Sequence, residues 1–187
     1  MRDRSHNAIR GLGWVATAAL IAVSGAGLVV ALDHPATGSA RPELTARGDA
    51  AFAAAMPAVR DALGKVASAA DTLAEAGREA AAALRARDAA TARARLAEGE
   101  EALAAATVAA RDLVAARDAL LEHVGGARLG AATRDQLVTI QAAQDAVARL
   151  PEAWASVTGS TEPRLTQGLI SIERVRGTLN EATAALD

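Results

Sequence analysis

The stretch FAAAMPAVRDALGKVASAADTLAEAGREAAAAL, residues 52–84, carries the fold class in its spacing. Phe52, Met56, Val59, Leu63, Val66, Ala70, Leu73, Gly77, Ala80 and Leu84 recur at alternating intervals of four and three residues. That is a heptad seam, the pattern of a helix with one apolar face. Its flanks define the assembly it serves. One flank reads Ala53, Arg60, Ala67, Ala74 and Ala81; the other reads Ala55, Ala62, Ala69, Ala76 and Ala83. A two-stranded coiled coil places charges there, whereas alanines widen the stripe and let two neighbouring helices approach. Asp61, Lys65, Asp71, Thr72, Glu75, Arg78 and Glu79 fall on the opposite face. The reading is a helix packed in an antiparallel, alanine-rich four-helix bundle built on a coiled-coil hairpin.

Downstream, Arg85-Ala-Arg-Asp88 interrupts the seam with charge, and Asp88 is suited to cap a new helix. A second seam runs through Ala92, Leu96, Gly99, Leu103, Ala106, Ala110, Leu113, Leu120 and Val124 and ends at Gly125-Gly126. Thr133 with Gln136 matches a capping box opening a third helix, with a kink expected at Pro151. A fourth follows the turn at Thr158–Thr161. The expected helices are 43–86, 88–124, 133–158 and 162–187 within a domain spanning 42–187. At 1.5 Å per residue the first two reach roughly 55–65 Å and the last two about 40 Å, so the hairpin is expected to project beyond the shorter pair.

Upstream, residues 11–32, GLGWVATAALIAVSGAGLVVAL, carry no charge. A run of about 20 apolar residues is long enough to span a bilayer as a helix. Arg2, Arg4 and Arg10 precede it, which favours a cytoplasmic segment 1–10 and an extracytoplasmic domain. This predicts a single-pass cell-membrane protein, anchored in lipid through residues such as Trp14, Leu20, Ile21, Leu28 and Val29, with a linker at 33–41. Ala18, Ala22 and Ala26 share one helix face and form a candidate dimer contact between anchors. The alternative is a cleaved signal peptide and a secreted helical protein, with Gly38-Ser39-Ala40 as the exit.

Composition removes several chemistries. Without cysteine there is no disulfide framework or thiolate metal site. A net charge of −2 and only three aromatics, Trp14, Phe52 and Trp154, argue against nucleic-acid binding. The histidines His6, His34 and His123 lie far apart in sequence, and no Glu-x-x-His pair suggests a metal, so no catalytic, cofactor or metal site is expected. Arg117 falls on the second seam where an apolar residue belongs, and Asp49 falls on the first seam one heptad before Met56. In an antiparallel hairpin these two form a candidate register pair. The functional expectation is a non-enzymatic scaffold or accessory subunit, contacting an envelope protein or itself through helix–helix packing. A sensory or small-ligand-binding bundle is the alternative.

Overall fold

The computed structural model describes residues 42–159 and 162–187. They are all-α, in five helical segments: α1 (Pro42–Arg85), α2 (Ala89–Val124), α3 (Ala131–Val147), α4 (Leu150–Val157) and α5 (Glu162–Leu186). α1 and α2 form the long hairpin. Their turn works because Arg87 adopts a left-handed conformation (φ 58°), which lets the Asp88 amide reach back to the Ala83 carbonyl. Asp88 then accepts from the Thr91 amide at 3.0 Å and its hydroxyl at 2.7 Å, supplying an otherwise orphaned first-turn amide with a partner. α5 packs along α1, and α3 with α4 closes the bundle between α5 and α2.

The core follows the heptad arithmetic. Of the first seam, every residue from Phe52 to Ala80 is buried, whereas Leu84, one turn from the tip, is 48% exposed. Ile140, Leu150, Trp154, Ile172 and Leu179 complete the interior from the other arms. Among the flanking alanines Ala62, Ala67, Ala74, Ala76, Ala81 and Ala83 are buried and Ala55 and Ala69 half-buried, while Ala53, below Arg60, is exposed. The cause is the end of α5, because the Arg60 guanidinium donates to the Leu186 carbonyl at its last turn.

Two expectations change. The hairpin does not project appreciably at its tip. Leu169 lies beside Gly77, and α5 begins seven residues before Leu169, a span that carries α1 only to Leu84. The surplus length lies at the opposite end, where α1 runs 18 residues past Arg60, on the order of 27 Å at 1.5 Å per residue. The third arm is also divided into two helices. Pro151 lacks an amide and its ring opposes the carbonyl four residues back, so the helix stops at Val147 and restarts at Leu150. At the joint the Arg149 amide turns to Ala146, a tighter three-residue bond.

Trp154 fixes how α4 sits. Its ring fills the space over Gly99, where any Cβ would overlap it, and lies 3.5 Å from a Cβ built on Gly77. Behind it, a Cβ on Gly168 would come within 2.7 Å of the Ala153 carbonyl and the Val157 amide. Gly99 and Gly168 are thus positions where ring or backbone approaches too closely for a side chain, whereas a Cβ on Gly77 would crowd only the tip of the Leu169 side chain. Gly64 differs, because a Cβ there meets nothing. Gly64→Ala is therefore expected to stabilise the fold by about 0.5–1 kcal/mol through lower unfolded-state entropy and better helix propensity. Urea denaturation checks this, and a loss of stability would contradict it.

Candidate interaction surface

Asp49 and Arg117 do not pair. Each leaves the hairpin seam for α3, at opposite ends of that helix. The Asp49 carboxylate accepts from the Gly130 amide at 2.9 Å and from the Thr133 hydroxyl at 2.7 Å. Gly130 is the N-cap of α3 and has no capping side chain of its own, so Asp49 serves as a cap delivered from another helix. The approach needs both neighbouring glycines: a Cβ on Gly48 would strike the Arg128 carbonyl, and one on Gly130 would come within 2.8 Å of Asp49. Consequently α3 starts at Ala131, two residues before the expected capping box, and Thr133 is turned toward Asp49. Arg117 donates to the Gln141 and Gln144 amide oxygens at 3.0 and 2.8 Å and pairs with Asp118 at 2.7 Å. Its stem thus fills a seam position while its head satisfies polar groups at the edge.

The hydrogen bonds from Gly130 and Thr133 hold the Asp49 carboxyl below the usual carboxylate range. A depressed native pKa means that the contribution is fully present above the unfolded value of about 4 and is lost as pH falls through the native one. Wild type should therefore lose stability relative to Asp49→Asn as the pH drops from 5 to about 2. Paired urea titrations across that range check the sign, and a constant difference would refute it.

The surplus length of α1 carries an uncharged surface. From Ala50 to Val59 the helix carries no charge on any side. Phe52, Met56 and Val59 are buried, yet Ala46, Ala50, Ala53, Ala54 and Pro57 are exposed and share one face. Ala46 and Ala53 continue the heptad row of Ala67, Ala74 and Ala81, which is buried above Arg60. Pro57 removes the amide that would bond the Ala53 carbonyl, leaving that acceptor free on the exposed side. A helix apolar all round normally has neighbours all round, and among the described residues no helix covers the side of Ala46, Ala50, Ala53, Ala54 and Pro57. The uncharged run from 50 to 59 was the sequence signal for this face. Its significance emerges from where α5 stops.

His123 is exposed in the last turn of α2, near the terminal carbonyls that favour it there. Among the described residues no three His, Asp or Glu side chains gather as metal ligands. Glu98 of the acidic group Glu98–Glu101 is paired with Arg95 at 2.7 Å. Among the described residues no helix is long and apolar enough to cross a membrane. The proposed anchor 11–32, including Trp14, Leu20, Ile21, Leu28, Val29 and the Ala18, Ala22 and Ala26 face, lies outside them. No protein-family model, curated protein or solved structure matches the chain.

Proposed function

We propose that the protein is a membrane-anchored, extracytoplasmic helical scaffold that binds an envelope partner through the exposed alanine face of α1. The observation that carries this reading is the uncharged, partly bare segment Ala50–Val59 below the end of α5. Small side chains there allow close backbone approach by another helix, and the absence of charge removes the desolvation cost of docking. The 22-residue apolar run, with three arginines before it, supports an anchor separated from α1 by nine residues of sequence.

A photo-crosslinking amino acid at Ala53 tests the contact in intact cells, with Glu100 on the exposed side of α2 as the control position. A discrete adduct from Ala53, absent from Glu100 and abolished by Ala54→Glu, is the expected result. Adducts from neither position, or from both equally, would overturn it. The anchor is tested separately with Ala127→Cys in this cysteine-free chain and a membrane-impermeant maleimide. Full-length labelled protein in carbonate-washed membranes is expected. Label on a shortened soluble form would mean that the apolar run is cleaved, and label only after lysis would reverse the topology.

A further inference from the structure

Across the joint between α3 and α4, on the side facing α5, lies a crevice of about 260 Å³. Arg149 and Glu152 border it from the α3–α4 arm, and Gln167, Ser171 and Arg174 from α5. The close contact at Gly168, where Ala153 and Val157 touch α5, lies in the same stretch of the α4–α5 interface as Gln167 and Ser171.

Glu173 pairs with Arg78 and Arg176, and Arg176 also reaches Asp71, so the charges on the α1 side are matched. In the crevice, Arg149, Arg174 and Glu152 are all exposed, and among the described residues none of their side chains has a hydrogen-bond or ion-pair partner. Two cations and one anion thus border a common space without closing on one another. The hydroxyls do not satisfy them either. Ser156 and Ser171 donate to the carbonyls of Glu152 and Gln167, one turn back on their own helices. What they present outward is acceptor lone pairs.

The complementary molecule is therefore constrained. A simple anion would meet both guanidinia but be repelled by Glu152, and a simple cation would face the reverse problem. We propose that the crevice binds a small zwitterion whose carboxylate is held by Arg149 and Arg174 and whose ammonium faces Glu152 and the serine oxygens. Guanidinium–carboxylate pairing is directional and charge-assisted, so it sets the orientation. The volume lies below the roughly 300–1,000 Å³ of sites for drug-sized ligands, which restricts the occupant to a molecule of amino-acid size. This site is separate from the α1 face and does not depend on the anchor.

Isothermal titration calorimetry on the full-length protein in detergent tests it, with glycine, β-alanine and γ-aminobutyrate as probes. Sodium acetate and ethylammonium chloride at equal ionic strength carry the two charges separately. Saturable binding of at least one zwitterion, with weaker or no binding of either single-charge control, is expected. Arg149→Gln and Arg174→Gln should each weaken that binding about tenfold or more, since each removes a charge-assisted contact. Glu152→Gln should turn the preference toward acetate. Failure of all three zwitterions to bind, affinities no better than acetate, or unchanged affinity in both arginine variants would each overturn the proposal. Unfolding midpoints of the ligand-free variants, expected to match wild type, separate lost binding from lost folding.

Discussion

Trp154→Ala is expected to lower the unfolding free energy by about 3–5 kcal/mol, a large share of the roughly 5–15 kcal/mol typical of a domain. The indole of α4 is buried against α1 and α2, and its place over Gly99 cannot be taken by a small side chain without leaving a cavity. The tryptophan also carries a burden, because its indole N–H is buried without an acceptor. An unsatisfied buried donor costs about 1–3 kcal/mol, so Trp154→Phe, which removes it while keeping an aromatic ring, should lose less than half as much as the alanine variant. The mirror experiment is Gly99→Ala. Its methyl would overlap a ring that also lies against Gly77, and overpacking of this kind costs about 1–3 kcal/mol. Urea unfolding of the three variants gives the ranking. A harmless Gly99→Ala would mean that α4 can shift aside freely.

Phe52→Ala should be comparably damaging, again about 3–5 kcal/mol by the same cavity argument. Phe52 is 2% exposed, yet it lies where α5 no longer accompanies α1. Its loss therefore weakens the part of the bundle with the fewest helices. It also sits three residues beyond Asp49, on the same helical segment that caps α3. Faster amide exchange in the first turn of α3, beyond what the global destabilisation explains, is the expected local signature. Unchanged relative protection there would show that the cap holds independently of the Phe52 packing.

These effects separate what a sequence reveals from what needs three dimensions. Heptad spacing places Phe52, Leu63, Leu73 and Leu120 in the core because periodicity depends only on position along one helix. The widened alanine flanks likewise show that α1 has more than one neighbour. Where a neighbour ends is a relation between segments more than a hundred residues apart, so nothing local shows that Arg60 meets Leu186. The same limit explains Asp49 and Arg117. Both stand out as polar groups on an apolar seam, but pairing them assumed that the hairpin was self-contained, whereas α3 supplies better partners for each. Gly77 and Gly99 read as seam positions, and their use as a seat for Trp154 depends on α4, which no spacing along α1 or α2 encodes. The charges bordering the α4–α5 crevice have no sequence signature, because unpaired and paired arginines look alike in one dimension.

The cap that α1 supplies to α3 also orders the events of folding. α3 is 17 residues long, close to the length of about 12–15 below which an isolated helix is marginal in water, and its Gly130 start offers no side-chain cap. Asp49 and Gly130 are 81 residues apart along the chain, a separation that would ordinarily make their encounter slow. The α1–α2 hairpin removes that delay. Its turn at 86–88 needs only short-range bonds, and zipping outward from there carries Asp49 to the end of α2, a few residues from Gly130. A long-range contact is thereby converted into the last step of a local one. The hairpin forms the template, and the first turn of α3 is completed only on a hairpin that has closed along its full length.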